Sequence, residues 1–419
     1  MTVTIIGGGG REHAIAWKLK NDDKNIRLYA VPGNGGISGI AECVSIDTSD
    51  VVKLAEFAEE KGSDYTIVGP EVPLSLGIAD IFAERGLKVF GPSMKGAMLE
   101  SSKVFAKQFM KRNGIPTADF IVVSSHDEGV KALEEAEYPC VLKYDGLAAG
   151  KGVVVAENRE EAVMFLDGVY GRKVFGRGSR KVIIEKCLRG RELSYLVFTD
   201  TLSFLSMVPA KDHKRVFDCD RGPNTGGMGC SSPPAFFTED LGKEIRKKIV
   251  IPTLNGLSKE NVDYRGVLYF GLMLTQDGPF LLEYNARFGD PETQVILPRM
   301  KSPLIETVKA VSERRLDSIS IEWSDRKSVC VILASSGYPG SYSKGKVVKG
   351  LSCPGNVTIF HAGTEKRNGD IFTSGGRVLG ITAMGTTMRE AREDAYRAAA
   401  LIDFEGKHYR TDIGLDSSV

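Results

Sequence analysis

Four consecutive glycines, Gly7, Gly8, Gly9 and Gly10, separate an apolar β-branched run at 3–6 from a helical pattern that begins at Arg11 and continues to about residue 20. A strand that passes into a helix through glycine is the opening of a βαβ unit, because such a turn needs close backbone approaches that side chains forbid. The punctuation recurs. A strand at 26–30 ends in Val31-Pro32-Gly33-Asn34, an amphipathic helix follows at 51–61, and a strand at 65–68 ends in Gly69-Pro70-Glu71. A helix at 78–85 and a strand at 88–90 closing on Gly91-Pro92 complete the series. Short strands separated by helices predict a doubly wound parallel sheet over residues 1–100, whose glycine turns line the carboxyl edge where such sheets bind ligands.

That glycine turn is not a dinucleotide fingerprint. The full motif wants GxGxxG and an acidic residue closing the second strand. Here Gly7-x-Gly9 continues to Glu12, Gly8-x-Gly10 continues to His13, and the second strand closes on Val31-Pro32-Gly33. The third glycine and the ribose carboxylate are both missing, which argues against NAD. Backbone N–H groups at the helix N-terminus still suit a different phosphate, with a bare tight turn as the alternative.

From about residue 101 the texture changes to α+β. A basic helix at 103–112 is stopped by Asn113-Gly114 and Pro116. Strands at 120–123, 140–143, 153–156 and 182–185 alternate with helices near 128–137 and from about 159. Antiparallel strands are expected at 193–198 with 204–209, and further strands at 267–274 and 279–284. Between them, 211–234 is polar, Gly-rich and too long for a hairpin turn, so it is expected to carry function. From 328 a Val/Ile/Gly-rich stretch with one late helix at 387–401 predicts a small β-rich terminal domain.

Two segments carry chemistry. Lys143 leads into Asp145-Gly146-Leu147-Ala148-Ala149-Gly150-Lys151-Gly152, a loop small enough to wrap phosphate oxygens, with Lys151 adding charge. It lacks the GxxxxGK[ST] pattern of a P-loop. A glycine lid over a triphosphate is favoured over a plain hairpin turn. Further on, Glu283 and Asn285 stand two apart on a strand and so share a face. Two oxygen ligands on one face suit octahedral Mg2+ completed by phosphate, though surface carboxylates at this spacing are common.

The composition excludes other classes. With 55 Lys+Arg against 54 Asp+Glu the formal charge is +1, so no net field draws nucleic acid or anionic lipid. No apolar run reaches the ~18 residues of a membrane helix. The seven cysteines have a closest spacing of 11, without a CxxC, and the five histidines form no HExxH or HxH pair. Reduced thiols, oxygen ligands for any metal, and a cytoplasmic location are expected.

Taken together, the chain resembles the ATP-grasp family and, within it, the phosphoribosylamine–glycine ligases (glycinamide ribonucleotide synthetases). The motifs run end to end: IIGGGGREHAIAWKL at 5–19, VPGN at 31–34, IVGPEVPL at 67–74 and FGPS at 90–93. KYDGLAAGKGV at 143–153, DHKR at 212–215, GPNTGGMG at 222–229 and EYNARFGDPETQ at 283–294 follow. GYPG at 337–340, HAGT at 361–364 and GGRVL at 375–379 close the series. The resemblance implies an N-terminal domain over 1–100 and an ATP-grasp core at 101–119 and 189–325. It also implies a lid subdomain at 120–188 and a C-terminal domain at 326–419. The extra purine-pathway domains of fused eukaryotic versions are not expected in this chain.

The implied reaction joins glycine to 5-phosphoribosylamine with ATP, giving glycinamide ribonucleotide, ADP and phosphate. Another ATP-grasp carboxylate–amine ligase or a carboxylase is the alternative. By the resemblance, Lys103 and Lys143 contact nucleotide phosphates under the 145–152 loop. Glu185, Lys186 and Leu188 form the adenine hinge, Glu192 binds the ribose, and Glu283 and Asn285 hold Mg2+ or Mn2+. Arg287 and Asp290 are candidates for gripping glycine. Asp212, His213, Lys214, Arg215, Asn224, Thr225, Gly226 and Gly227 are candidates for positioning phosphoribosylamine. Gly9, Gly10, Arg11, Glu12, Glu71 and Gly289 complete the expected substrate side. For His213 and Lys214, a solvated basic strand end is the other reading.

Three features depart from the family pattern: Tyr144 where a small residue is usual, Arg191 beside Glu192 where an acid is frequent, and the basic stretch 168–181. None removes a group the chemistry needs. A monomer is expected, with small-molecule substrates and neither nucleic acid nor membrane as partner.

Overall fold

The computed structural model describes residues 1–147, 152–171, 181–352 and 355–415. Ala148, Ala149, Gly150 and Lys151, and residues 172–180 of the basic stretch, lie outside them.

The N-terminal sheet is parallel and doubly wound. Its strands lie in the order Glu42–Cys43, Arg27–Pro32, Thr2–Gly7, Tyr65–Val68, Val89–Phe90. The chain therefore reverses direction of build at the central strand Thr2–Gly7, and the turns that follow it and its neighbour meet at the carboxyl edge. Glycine is needed there. A Cβ on Gly8 would sit 2.3 Å from the Gly33 carbonyl oxygen, and one on Gly69 would sit 1.9 Å from Glu12 Oε1. The helix Gly10–Asp22 packs its Ala14, Ile15 and Leu19 into the core shared with the rest of the molecule.

A second, antiparallel sheet forms the middle of the molecule, in the order Phe204–Ser206, Arg191–Thr199, Gly266–Thr275, Gly278–Asn285. The helix Lys103–Arg112 covers it, burying Phe109 and Met110 against Phe270 and Tyr284. A further helical run, Glu239–Ile245 to Ile251–Lys259, joined by a π turn at Arg246–Val250, covers the same face. The small antiparallel sheet Phe120–Val123, Val182–Lys186, Cys140–Tyr144, Val153–Ala156 stands apart with its own core.

The C-terminal sheet draws on two parts of the chain. Lys211–Asp212 and Gly229–Ser232 pair onto Lys327–Ser335, followed by Arg377–Gly385 and Val357–His361. The Gly-rich stretch expected to be functional is thus pinned at both ends into this sheet, with a hairpin, Arg215–Phe217 and Arg221–Asn224, between its anchors. The late helix Met388–Leu401 starts at Thr387, whose Oγ1 accepts the Glu390 N–H at 3.1 Å.

Several elements differ from the sequence expectation. The helix expected near 128–137 is His126–Ala132, opened by Ser125 and by Glu128, whose carboxylate accepts the Ser124 N–H at 2.7 Å. This is a capping arrangement that places the start two residues earlier. The helices Met94–Ser101 and Leu304–Ser312 and the run from Glu239 were not expected. No helix among the described residues is long and apolar enough to cross a membrane.

Candidate active site

A cleft of about 670 Å³ opens where the three larger units and the small sheet meet. Of the residues singled out in the sequence, it is lined by Lys103, Lys143, Leu147 and Gly152 from the phosphate side, and by Glu283 and Asn285. Arg11, Glu71, Asp212, Lys214, Asn224, Thr225, Gly226, Arg287 and Asp290 line the remainder.

The strand Gly278–Asn285 builds the floor. Its register against Gly266–Thr275 slips between Gly271 and Leu272, so Leu282 is an extra residue between Leu281 and Glu283. Such a bulge re-aims the residues after it and leaves a carbonyl outside the ladder. Leu282 O accepts Lys143 Nζ at 3.1 Å, which ties the small sheet to the floor. Glu283 and Asn285 then follow on one face of the strand.

Lysines converge on this floor. Glu185 is buried and lies between two of them, 2.6 Å from Lys107 Nζ through Oε2 and 2.6 Å from Lys143 Nζ through Oε1. The second contact is an ion pair without the alignment of a directed hydrogen bond. Burial draws Lys107 down to about 8 against the pull of Glu185, and burial also lowers Lys103. Lys103 Nζ donates to Gly146 O at 2.9 Å, at the start of the glycine loop. Asp145 fixes that start differently: its Oδ1 accepts the Val104 N–H and the Ser102 hydroxyl at the N-terminus of the helix Lys103–Arg112. Asp145 and Gly146 are thereby tied to the helix that carries Lys103 and Lys107.

Lys214 reaches over the floor from the pinned loop, 3.6 Å from Glu283 and 3.5 Å from Glu192. The two carboxylates, Glu192 first, raise it well above an ordinary lysine. Burial would raise Glu283, but Lys214, Lys143, Lys103 and Arg287 hold its carboxyl below the usual value. Glu283 is therefore an ionised oxygen donor at neutral pH. Among the described residues no group of three or more His, Cys, Asp or Glu is arranged to hold a metal. A divalent cation at Glu283 and Asn285 would need further oxygens from a bound phosphate, which is the donor set a hard cation accepts.

The opposite wall is made of closed ion pairs. Arg287 lies 2.7 Å from Glu100 and 3.3 Å from Glu71, and donates to Phe288 O. Burial raises Glu100 despite Arg287, whereas Arg287 and Arg11 hold Glu71 low against its own burial. Asp290 lies 3.3 Å from Arg377 and accepts Gln294 Nε2 at 2.7 Å; burial would raise it, but Arg377 and Arg11 keep it low. Arg377 also donates to Asp290 O at 2.8 Å and to the Gly226 carbonyl, so one side chain of the C-terminal sheet holds both the 224–227 loop and the 287–290 turn.

Other expected residues sit behind the cleft. Glu12 accepts the Gly9 N–H at 2.6 Å and pairs with Arg11 at 2.6 Å, closing the first turn of its own helix. Gly9, Gly10, Gly227 and Gly289 permit close packing; a Cβ on Gly227 would lie 2.6 Å from Asp212 Oδ1. His213 is buried with its Nε2 unpartnered, and burial lowers it to about 4. Arg215 donates to Gly222 O within its hairpin. Lys186 is exposed and pairs with Glu137 at 3.3 Å, and Leu188 follows it out of the small sheet. Glu192 lines a minor cavity beside the cleft, shared with Asp212 and Lys214.

Of the departures, Tyr144 belongs to the buried core of the small sheet with Leu142 and Ile184, and Arg191 stacks its guanidinium 5.5 Å from the Phe236 ring centre. The cleft also contains Glu100, Lys107, Tyr269, Glu292, Tyr338 and Arg377, which sequence reasoning did not single out. A signal existed for Lys107, one helical turn beyond Lys103. Glu292, Tyr338 and Arg377 lie inside motifs already quoted; Glu100 and Tyr269 had no signal.

Comparison with known proteins agrees with this architecture. Family models for the N domain, the ATP-grasp (A) domain and the C domain of phosphoribosylglycinamide synthetase match residues 1–100, 101–293 and 328–416. The chain is 49% identical over 413 residues to a phosphoribosylamine–glycine ligase of Caldanaerobacter subterraneus subsp. tengcongensis, covering 99% of each. It superposes on the crystal structure of a phosphoribosylamine–glycine ligase from Thermotoga maritima with a TM-score of 0.86 at 36% identity, covering 98% of this chain and 100% of that one. A biotin carboxylase from Campylobacter jejuni shares the fold, with a TM-score of 0.77 at 17% identity over 99% of this chain and 94% of its own.

Proposed function

The chain belongs to the phosphoribosylglycinamide synthetase family, and we propose that it ligates glycine to 5-phosphoribosylamine with ATP, giving glycinamide ribonucleotide, ADP and phosphate in purine biosynthesis. The observation that carries this reading is one cleft holding lysines, an ionised Glu283 beside Asn285, and a second set of fixed charges at Arg287, Asp290 and Lys214.

The chemistry asks for that arrangement. A carboxylate is a poor electrophile, so glycine must first become glycyl phosphate. Phosphoryl transfer needs positioning and charge neutralisation more than covalent help. We assign Lys103 and Lys143 to the nucleotide phosphates, with Lys107 and Glu185 holding Lys143 in place. Met110, Val153, Leu282 and Tyr284 offer an apolar slot for the purine near Glu185, Lys186 and Leu188, and Glu192 is placed to receive the ribose. Glu283 and Asn285 would hold Mg2+ or Mn2+, which would supply charge neutralisation on the phosphates. The loop at 145–152 would cover them and keep water from the acyl phosphate. On the substrate side, Asp290 and Arg287 are assigned to the glycine end, and Lys214 with Asn224, Thr225 and Gly226 to phosphoribosylamine.

A monomer in the cytoplasm completes the proposal; six described cysteines are free thiols, as a reducing compartment allows. The test is ADP release with Mg-ATP, omitting glycine and in-situ phosphoribosylamine one at a time. Turnover that needs both and yields glycinamide ribonucleotide is expected. ADP release indifferent to glycine would leave the family standing and remove the substrates.

A further inference from the structure

Forming the amide from glycyl phosphate and an amine leaves one proton too many on nitrogen. None of the groups assigned above to phosphate or metal accepts it. We propose that Asp212 is the proton acceptor for the attacking amine, with Glu292 as the fixed carboxylate that positions the nitrogen beside it. This rests on the functional reading above and adds an unassigned step to it.

The geometry is specific. Asp212 and Glu292 both line the cleft, as does Lys214, which feels the charge of both Asp212 and the metal-side Glu283. Glu292 is buried and cannot turn: its Oε1 accepts the Ser194 hydroxyl at 2.9 Å and the Tyr269 hydroxyl at 3.0 Å. Asp212 Oδ1, in contrast, is shielded from solvent and has no hydrogen-bond partner. Asp212 is nonetheless held in place, since its backbone pairs with Cys230 in the sheet that pins the loop. Room for the carboxylate comes from Gly227 at φ +109°, where any side chain would strike Oδ1. A shielded carboxylate oxygen without a partner, on a residue that lines the cleft, is costly unless a donor arrives, and a protonated amine or a nitrogen losing its proton is such a donor.

The groups facing Asp212 fit the role. Burial comes first and Glu292 second in raising its affinity for a proton, while Lys214 and Arg377 oppose them and Glu192 adds to them. The resulting base is stronger than a solvated carboxylate, as a proton acceptor working near neutral pH must be. The step balances. The amine nitrogen forms the bond to the glycyl carbonyl carbon, the carbon–oxygen bond to phosphate breaks with its electron pair leaving on phosphate, and the nitrogen proton passes to Asp212 Oδ1. The first half-reaction, glycine with ATP, needs no such base.

The test is Asp212→Asn in the full chain, with its melting temperature compared against wild type. Turnover with phosphoribosylamine is expected to fall at least ~100-fold, with KM for ATP and glycine within about threefold. Replacing phosphoribosylamine by free hydroxylamine, a small and strong nucleophile that is neutral near pH 7.5 and can pass its nitrogen proton to solvent water, is expected to give glycine hydroxamate at a rate within about threefold of wild type. Glu292→Gln is expected to raise KM for phosphoribosylamine more than it lowers kcat. Turnover of Asp212→Asn within about fivefold of wild type would overturn the assignment. So would a rise in glycine KM that parallels the loss, which would put Asp212 at glycine instead. Failure of the functional reading looks different: wild type itself would make no glycinamide ribonucleotide.

Discussion

Lys214 stands 3.6 Å from Glu283 across the cleft, and 3.5 Å from Glu192 on its other side. One cation therefore neutralises both the carboxylate expected to take a metal and the one expected to take a ribose before either ligand arrives. All three side chains are about a third exposed or more, so the contact itself is worth little to folding, on the order of 1 kcal/mol or less. Its value is electrostatic placement. Lys214→Met is expected to lower kcat/KM for phosphoribosylamine ~10- to 100-fold while shifting the melting temperature by no more than a few degrees. Steady-state kinetics alongside a thermal melt checks both; a large loss of stability with normal kinetics would reverse the reading.

Glu283→Ala separates binding from chemistry. The carboxylate is held ionised by four cations, and charge on the phosphates is greatest as the phosphoryl group transfers. Turnover is expected to fall by ~100-fold or more, with nucleotide affinity, read by equilibrium titration with ADP, changed far less. Undiminished kcat at saturating Mg2+ would take Glu283 out of the metal site.

Arg287 has a structural duty that its substrate assignment must be disentangled from. Its guanidinium satisfies the buried Glu100, 2.7 Å away, and reaches Glu71. Glu100 also accepts the Ala286 N–H at 2.7 Å, so removing the cation strands a carboxylate that cannot leave. Arg287→Met is expected to cost ~3–5 kcal/mol in urea unfolding. Glu100→Gln added to it should recover part of that loss, because the stranded charge is gone. If the double variant is as unstable as the single one, the charge pairing is not what Arg287 supplies.

These residues also show what could be read in advance. The parallel sheet was legible because the strands Thr2–Gly7, Arg27–Pro32, Tyr65–Val68 and Val89–Phe90 each run into glycine or proline, and glycines at these turns answer close contacts, as Gly8 does against Gly33. The cleft floor was legible because Glu283 and Asn285 are neighbours on one strand. Glu100 and Tyr269 were not, since each joins the cleft only after long stretches of chain have paired, and nothing local marks them; Arg377 lay in a quoted motif, but its place beside Asp290 follows only from the folded sheet. The helical run from Glu239 was hidden by Pro252 and Gly256. In the structure a π turn at Arg246–Val250 lets Pro252 fall in the first turn of the next segment, where its missing N–H costs nothing. Gly256 lets the run approach Asn113 and Phe109 more closely than a side chain would allow.

The buried pair His13 and His361 makes stability depend on pH. The Nδ1 of His13 accepts the backbone N–H of His361 at 2.8 Å, so that nitrogen must be unprotonated in the folded chain. Burial first, then the neighbouring His361, lowers His13 to about 3, and burial lowers His361 to about 4. The unfolded chain takes up these protons near pH 6.5, so below that pH the unfolded state binds more protons and is favoured. The stabilisation is complete above about 6.5 and is lost progressively as pH falls toward 4 and then 3. Urea unfolding is expected to give a free energy that is flat in this contribution between pH 7 and 8 and falls between pH 6.5 and 5. His13→Asn, whose carbonyl oxygen can still accept the His361 N–H, should be less steep over that interval because one of the two titrating groups is gone. An unchanged slope in that variant would show that His13 is not among the groups that set the acid limit.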